Sequence, residues 1–182
     1  MRKVVVTMFV TLDGVMEAPE KWCFPFWNEE IAKFKHDELF ATGAHLLGRV
    51  TYETFAAAWP SRKDDTGFAD RMNSLPKFVV STTLGKAEWN NSTILKSKVA
   101  DAVLDLKKQP GQDILVAGSG TLVETLMQHS LIDEYRLLTF PIVLGSGKRL
   151  FAQVSRVSLT LVEARSFASG VVLLRYHPEV KK

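Results

Sequence analysis

The sequence has one cysteine, a small net charge and no long apolar run. Cys23 cannot form an internal disulfide, and we expect a reducing location, the cytoplasm. The net charge is +3, and the basic residues are scattered among nearly as many acidic ones, so we expect no nucleic-acid partner. No apolar stretch reaches the length of a bilayer span, and we expect no membrane partner.

Patterns typical of metal sites and serine hydrolases are missing as well. Four histidines lie far apart in the sequence: His36, His45, His129 and His177. No cysteine pair or HExxH spacing accompanies them, so we expect no metal site. Ser81 and Ser119 each follow a predicted strand, but neither lies in a G-x-S-x-G motif. Hydrogen bonding is the better role for both.

Length and composition predict one compact domain over residues 1–182. The chain is 46% hydrophobic and 24% charged, which is ordinary for a globular protein. Early strands alternate with amphipathic helices, whereas the last third holds strands at 134–144, 158–167 and 171–176 without long helices between them. This order predicts an α/β fold with a mainly parallel central sheet and an antiparallel C-terminal strand.

Two glycine-containing segments join a predicted strand to a predicted helix. Gly118-Ser119-Gly120-Thr121 offers close backbone approach and two hydroxyls, and Gly48-Arg49-Val50-Thr51 offers a guanidinium and a hydroxyl. Helix N-termini at the carboxyl ends of strands favour anions. A glycine there often serves the turn alone, so one segment would be weak evidence. Together they predict a phosphate-binding edge of the sheet.

Neither of two familiar nucleotide motifs is complete. Segment 118–123 lacks the third glycine of the dinucleotide fingerprint, and no acidic residue occupies a clear second-strand position. An ordinary Rossmann domain is therefore disfavoured. Gly145-Ser146-Gly147-Lys148-Arg149 has neither the glycine spacing nor the Ser or Thr of a phosphate loop, and we interpret it as a loop between strands.

Glu29 and Glu30 are the best candidates for proton transfer. They begin a helix for which Asn28 is the predicted N-cap, after an aromatic loop with Trp22 and Trp27 that could partly desolvate a carboxyl group. Acidic residues are also common at helix starts because of the helix dipole. The residues alone leave both interpretations open.

Five short segments, taken in order, resemble the dihydrofolate reductase superfamily. They are Thr11-Leu12-Asp13-Gly14, 48–53, 80–83, 117–121 and 141–147. More closely, the chain is similar to the branch with the reductase domain of riboflavin-biosynthesis enzymes and bacterial dihydrofolate-reductase-like proteins. The resemblance covers nearly the whole chain. It implies a three-layer α/β/α fold, NADPH as cofactor and a homodimer.

The resemblance also implies roles for individual residues. Those of the cofactor site are Gly48, Arg49 and Thr51 near the adenine-side phosphates, Ser81 and Thr82 beside the 2′-phosphate ribose, and Gly118, Ser119, Gly120 and Thr121 around the pyrophosphate. Aligning Phe34-Lys35 with the corresponding pair of dihydrofolate reductases places Glu30 at their substrate-binding acid. Glu30 is therefore the predicted catalytic residue.

The leading hypothesis is an NADPH-dependent reductase that transfers a hydride to a small heterocyclic, pterin-like or pyrimidine-like substrate. An alternative is a riboflavin-biosynthesis reductase of a ribosylaminopyrimidine phosphate, which requires basic groups such as Lys148 or Arg149 near the substrate. That branch usually has Glu-Gly-Gly at 118–120, which argues against this alternative. A non-catalytic nucleotide-binding protein is the third hypothesis.

Overall fold

The computed structural model describes residues 1–152, 154 and 156–179. Its strands are β1 Val4–Thr11, β2 Thr42–Gly48, β3 Lys77–Val80, β4 Ser92–Leu95, β5 Asp113–Ala117, β6 Glu134–Phe140, β7 Leu159–Ser166 and β8 Val172–Pro178. Its α-helices are α1 Glu29–Phe40, α2 Arg49–Ala58, α3 Phe68–Ser74, α4 Val99–Lys108 and α5 Gly120–Gln128.

The eight strands form one sheet in the order β4-β3-β2-β5-β1-β6-β8-β7. The pairs from β4 to β6 are all parallel, whereas β8 is antiparallel to both β6 and β7. Of the described strands, β8 alone therefore runs against the others. This confirms the predicted α/β fold with a mainly parallel sheet and an antiparallel C-terminal strand.

Helices cover both faces of the sheet and produce the three expected layers. On one face, Val6 of β1 packs in a cluster with Val103 of α4 and Leu126 of α5. On the other, Phe140 of β6 clusters with Ile31 of α1, and α2 and α3 cover β2 and β3. Alternate strand residues point to opposite faces, so β1 and β6 contribute to the core on both sides.

One edge of the sheet gathers the carboxyl ends of five parallel strands. We call this edge the carboxyl rim, formed by the residues directly after β1, β2, β3, β5 and β6. Helices α1, α2 and α5 begin at the carboxyl rim, because each follows one of these strands. The turn between β7 and β8 also lies there, since Val172 pairs with Thr139 near the end of β6.

Two elements differ from the sequence prediction. Helix α3 was not expected within its polar stretch; the Asp64 carboxylate accepts the backbone N–H groups of Phe68 and Ala69 at 3.0 and 2.7 Å and caps its start. Strand β6 ends at Phe140, not at 144, because Pro141 has no N–H to continue the ladder. No helix among the described residues is long and apolar enough to cross a bilayer.

Candidate functional site

The two predicted glycine segments lie side by side at the carboxyl rim, because β2 and β5 are neighbours in the sheet. The backbone N–H of Gly48 donates to Ser119 Oγ at 2.8 Å, and the Ser119 hydroxyl donates to Thr51 Oγ1 at 2.9 Å. The first turns of α2 and α5 are therefore joined by one hydroxyl. The structure brings these two segments together, as the sequence predicts.

Gly118 and Ser119 both adopt left-handed backbone conformations, with φ of +60° and +63°. A Cβ at position 118 would lie 2.9 Å from Thr51 Oγ1, so the close approach of α2 requires glycine there. Ser119 has a Cβ and carries a cost of about 1 kcal/mol in this conformation. In this conformation the Ser119 hydroxyl bonds both Gly48 and Thr51, and it thereby connects the starts of α2 and α5.

The start of α5 combines backbone amides with polar side chains. The first N–H groups of a helix have no partner within it, and the helix dipole makes this end attractive to anions. The Thr121 hydroxyl lies in the first turn and accepts a hydrogen bond from Lys148 Nζ at 2.9 Å. Lys148 comes from the loop after β6, and the sequence did not predict this contact with α5.

Arg49, Ser81 and Thr82 lie next to this pair at the ends of β2 and β3. The exposed Arg49 guanidinium forms an ion pair with Glu53 one turn along α2, at 2.9 Å. Ser81 Oγ accepts the backbone N–H groups of residues 83 and 84 at 3.2 and 2.9 Å and so fixes the turn after β3. Thr82 is exposed. All three side chains share the carboxyl rim with Gly48.

Asp13 connects the loop after β1 with the loop after β6. Its carboxylate accepts the Thr11 hydroxyl at 2.6 Å and the backbone N–H groups of Gly145 and Leu144 at 2.9 and 3.3 Å. The Thr11 hydrogen bond, followed by those from Gly145 and Leu144, lowers the pKa of Asp13 to about 2. Sequence analysis used segment 11–14 only for the family resemblance, and no local signal shows that Asp13 holds a distant loop.

The aromatic loop between β1 and α1 divides into a structural and an exposed part. Trp22 is buried, donates its indole N–H to the Glu17 carbonyl at 2.9 Å and packs edge-on against Phe140. Trp27 remains 37% exposed, with its ring centroid 6.0 Å from that of Phe9 on β1. Trp27 and Phe9 therefore form an aromatic surface close to the carboxyl rim.

Glu30 lies at the carboxyl rim but away from the Gly48–Ser119 pair. Its Oε2 accepts the backbone N–H of Ala168 in the turn between β7 and β8 at 2.7 Å, and the carboxylate lines a cavity of about 300 Å³ with Phe34 and Arg165. Ala168 lies in the turn before β8, and Ser119 follows β5. These two strands are three strand spacings apart in the sheet, or about 14 Å, which separates Glu30 from the Gly48–Ser119 pair. Asn28 caps α1 as predicted, because its side chain accepts the Ile31 N–H at 3.0 Å.

A profile of the RibD C-terminal domain matches residues 2–173, almost the whole chain. The chain belongs to the RibD C-terminal domain family. It is 32% identical over 97% of its length to the uncharacterized Bacillus subtilis (strain 168) protein YyaP, and 26% identical over 94% of its length to YwjB from the same strain. The matches cover 95% and 96% of those two proteins.

Solved structures share the RibD C-terminal domain fold at low sequence identity. A Shewanella sp. PV-4 protein named for riboflavin biosynthesis superposes with a TM-score of 0.77 and 21% identity, covering 98% of this chain and 99% of its own. A pyrimidine reductase-like protein from Corynebacterium diphtheriae has a TM-score of 0.71 and 11% identity, with 99% and 93% covered. These likenesses show the fold.

A longer protein from Thermotoga maritima contains this fold as part of its chain. It is a diaminohydroxyphosphoribosylaminopyrimidine deaminase and 5-amino-6-(5-phosphoribosylamino)uracil reductase, and it superposes with a TM-score of 0.72 and 16% identity. The match covers 97% of the present chain and 56% of the Thermotoga chain.

A larger cavity opens beside α2 in this RibD C-terminal domain. Its volume is about 480 Å³, and it lies between α2 and the segment after β3, lined by the aromatic Tyr52 and Trp89 and by the charged Glu53 and Lys86. Glu53 also holds Arg49, so this cavity adjoins the carboxyl rim. Among the described residues, no three His, Cys, Asp or Glu side chains form a group that could hold a metal ion.

Proposed function

We propose that the chain is an NADPH-dependent reductase that transfers a hydride to a small heterocyclic substrate. The observation that carries the proposal is the Gly48–Ser119 hydrogen bond, which sets the N-termini of α2 and α5 side by side at one edge of the sheet. Two helix N-termini at neighbouring strand ends suit a diphosphate. Membership of the RibD C-terminal domain family supports reductase chemistry at this edge.

The residues of the carboxyl rim offer the backbone amides, hydroxyls and guanidinium group that the phosphates of such a cofactor require. We propose that Gly118, Gly120 and Thr121 surround the pyrophosphate, with the α5 amides as donors, and that Ser119 keeps this segment against Gly48. NADPH supplies the hydride when it is bound. For the one remaining phosphate, the 2′-phosphate on the adenine side, the exposed guanidinium of Arg49 is suited because its surface ion pair with Glu53 is easily exchanged for a phosphate contact.

The remaining predicted cofactor residues keep supporting roles in this proposal. Ser81 holds the turn after β3 through its two accepted N–H groups, so the neighbouring exposed Thr82 is free to face the 2′-phosphate ribose. Thr51 remains close to the phosphates through its hydrogen bond with Ser119.

The substrate is proposed to be a planar heterocycle that stacks on the exposed Trp27 ring, next to the half-buried Phe9. Two solved structures with this fold are named as pyrimidine reductases or as similar to them, which favours a pyrimidine-like ring over a pterin-like one. The proposed location also lies on the α1 side of the sheet, where Glu30 is in the first turn of the helix.

Glu30 is the proposed proton donor, either directly or through a water molecule that it holds. The carboxylate is exposed at the carboxyl rim, and the Ala168 N–H orients one of its oxygens. A positioned carboxyl group can assist hydride transfer by protonating the reduced ring. Glu29, the neighbouring candidate, forms no hydrogen bond with another described side chain, so Glu30 is the better positioned of the two.

Thermal unfolding with NADPH tests cofactor binding. A ligand at about 100 times its Kd adds about 2.7 kcal/mol of stability and raises the Tm of a chain of this size by about 5–10 °C. NADH serves as the control, because it lacks the 2′-phosphate that Arg49 and Thr82 are proposed to contact. An unchanged Tm at millimolar NADPH contradicts the proposed function.

Loss of NADPH absorbance with candidate pyrimidines or dihydrofolate then separates turnover from binding alone. We expect Glu30→Gln to reduce kcat by about 100-fold, within the usual range for a lost general acid, and Glu29→Gln to retain most activity. Equal activity of Glu30→Gln and the wild type contradicts the assigned role. A shift in Tm without turnover of any substrate supports the non-catalytic hypothesis instead.

A reductase of a ribosylaminopyrimidine phosphate remains the second candidate, and one observation favours it. Lys148 reaches the carboxyl rim through its contact with Thr121, as that function requires of a basic residue. Against it stands the absence of Glu-Gly-Gly at 118–120, where this chain has Gly-Ser-Gly. Turnover assays with phosphorylated and unphosphorylated ribosylaminopyrimidines distinguish the two substrates.

We also propose that the protein is a cytoplasmic homodimer. On the edge strand β7, Leu161 and Val162 are 52% and 47% exposed, and a second copy of the chain could cover these side chains. Light scattering measures the mass, and a monomer at micromolar concentration contradicts the dimer.

A further inference from the structure

Two arginines meet at the amino ends of β2 and β5, the end of the sheet opposite the carboxyl rim. Arg2 Nε donates to the Gln112 carbonyl at 2.5 Å. Arg71 Nη2 donates to the Gln112 side-chain oxygen at 3.2 Å and to the Thr42 carbonyl at 2.5 Å. Thr42 is the first residue of β2, so both guanidinium groups lie around Gln112, about 20 Å from the carboxyl rim.

Two glycines leave room for the Arg2 side chain. A Cβ at Gly43 would lie 3.1 Å from Arg2 Nη2 and 2.8 Å from the Gln112 carbonyl oxygen. Gly111 has a φ of +132°, and a Cβ there would lie 3.8 Å from Arg2 Nε. Any side chain at position 43 would therefore press on the guanidinium group. We call Arg2, Gly43, Arg71 and Gln112 the amino-end arginine cluster.

Most N–H donors of Arg2 have no partner among the described residues. A guanidinium group has five N–H donors, and in Arg2 only Nε forms a side-chain hydrogen bond there. The residue is nevertheless only 8% exposed, so water has little access to its terminal nitrogens. The Nε of Arg71 is likewise buried without a partner. Because buried donors in folded proteins are normally satisfied, this cluster lacks an acceptor.

The positive charge of the amino-end arginine cluster is also incompletely balanced. No described carboxylate forms an ion pair with Arg2 or Arg71, whereas the adjacent Lys107 pairs with Asp133 at 2.5 Å. Burial lowers the pKa of Arg2 below its usual value, and the charge of Asp113 offsets this only in part. The end of α1 lies nearby, but a helix C-terminus carries only about half a unit of negative charge.

We infer that the amino-end arginine cluster binds an oxyanion, either a phosphate ion or a carboxylate group. Guanidinium groups stay charged at physiological pH and bind both kinds of oxyanion through paired hydrogen bonds. Because Arg2 is almost buried, only a small ion or the terminal group of a larger molecule can reach its nitrogens. The cluster shares no residue with the proposed cofactor site, so this inference is independent of the proposed function.

The test follows thermal unfolding while chloride is replaced by phosphate or by acetate at constant ionic strength. Arg71→Met removes the guanidinium group that is half-buried, and Arg71→Lys keeps the charge without the planar set of donors. Arg49→Met is the matched control, because Arg49 is the exposed arginine of the carboxyl rim. Urea unfolding in chloride alone verifies that the variants fold.

We expect at least one of the two anions to raise the Tm of the wild type along a saturating curve, by about 3–6 °C at ten times its Kd. The anion with the lower Kd identifies the preferred oxyanion. Arg71→Met should raise that Kd about tenfold, as for a lost charge-assisted hydrogen bond, and Arg71→Lys should retain part of the affinity. Arg49→Met should respond like the wild type. General salt effects are instead non-saturating and common to all variants.

The inference is overturned if neither anion gives a saturating rise in the wild type, or if Arg71→Met responds like the wild type. A response that is lost in Arg49→Met and kept in Arg71→Met overturns it as well, because the anion then binds at the carboxyl rim. If Arg71→Met does not fold, Arg2→Lys takes its place under the same criteria, since it keeps the buried charge and loses most of the donors.

Discussion

The carboxyl rim and the charged layer under α1 use polar residues in opposite ways. At the carboxyl rim, Arg49 is exposed and Lys148 contacts only a hydroxyl among its side-chain partners, so both cations are available to a ligand. Under α1, carboxylates and cations are paired in the interior. We call this group the α1 charge network, and its members are Lys35, Glu38, Glu134, Arg136 and Arg175.

Each buried carboxylate of the α1 charge network pairs with two cations. The Glu38 carboxylate is 1% exposed and pairs with Lys35 and, at 3.3 Å, with Arg136. Glu134 is 3% exposed and pairs with Arg136 at 2.7 Å and with Arg175 at 3.0 Å. Burial opposes the charged form of Glu134, but the hydrogen bonds from both arginines outweigh it and lower the pKa to about 2.

The comparison teaches where substitutions should affect stability and where they should affect binding. Removing one partner of a buried pair leaves the other charge without compensation, which destabilises the folded chain strongly. Exposed charges contribute little to stability. We therefore expect the α1 charge network to govern folding and the carboxyl rim to govern ligand affinity.

The largest expected effect is that of Glu38→Gln. The substitution removes the charge that faces Lys35 and Arg136 in the interior, so we expect a loss of about 3 kcal/mol in the free energy of unfolding. Urea unfolding followed by circular dichroism measures it.

Glu163→Gln is the matched comparison for that measurement. Glu163 pairs with Arg175 at 2.8 Å but is 37% exposed, so its removal should cost less than about 1 kcal/mol. Similar losses in the two variants would show that burial does not distinguish these ion pairs. The proposed division between network and rim would then be wrong.

The next effect is a loss of stability in mild acid caused by His45 on β2. Burial first, then the charges of Lys77 and Lys35, lower the pKa of His45 to about 3, against about 6.5 for an unfolded histidine. Between these values the unfolded chain binds a proton that the folded chain does not. The unfolding free energy should therefore fall with decreasing pH, by about 1.4 kcal/mol per unit.

Urea unfolding at pH 6.5 and pH 5 measures this change, and we expect a difference of about 1.6 kcal/mol, because the unfolded histidine is already half protonated at pH 6.5. Glu134 contributes little in this window, because the ordinary pKa of an unfolded glutamate, about 4.5, lies below it and the folded-state pKa of about 2 lies lower still. His45→Leu, which cannot titrate, should flatten the profile. An unchanged slope in that variant would assign the acid sensitivity to other groups.

The sheet and its carboxyl rim could be predicted from local patterns. Short β-branched runs identify the strands, and a glycine at a strand-to-helix junction places Gly48 and Gly118 at strand ends. Once the sheet is known to be mainly parallel, these ends must share one edge. The roles of the rim residues as cofactor ligands remain predictions.

Contacts between distant loops could not be predicted in this way. Asp13 accepts the N–H of Gly145, a residue 132 positions away, and Lys148 from the same loop reaches α5. Glu38 was missed for a related reason: a charged residue on an amphipathic helix usually faces solvent, and only the position of Arg136 on β6 shows that Glu38 is buried. Such pairings depend on the completed fold.

The smallest expected effect on stability is that of substitutions at Ser119. There, two variants should differ in the free energy of unfolding but not in NADPH affinity. Ser119→Gly loses the hydrogen bonds to Gly48 and Thr51 but removes the cost of the left-handed conformation, so the free energy of unfolding should change by less than about 0.5 kcal/mol. Ser119→Ala loses the same bonds and keeps that cost, and should be about 1 kcal/mol less stable.

Both Ser119 variants should nevertheless weaken NADPH binding to a similar extent, because each loses the link between the starts of α2 and α5. Calorimetry and urea unfolding on the same samples give both quantities. If Ser119→Gly binds NADPH like the wild type, the link between the helices is dispensable for the cofactor. If it is instead as unstable as Ser119→Ala, the left-handed backbone does not explain the difference between glycine and alanine at this position.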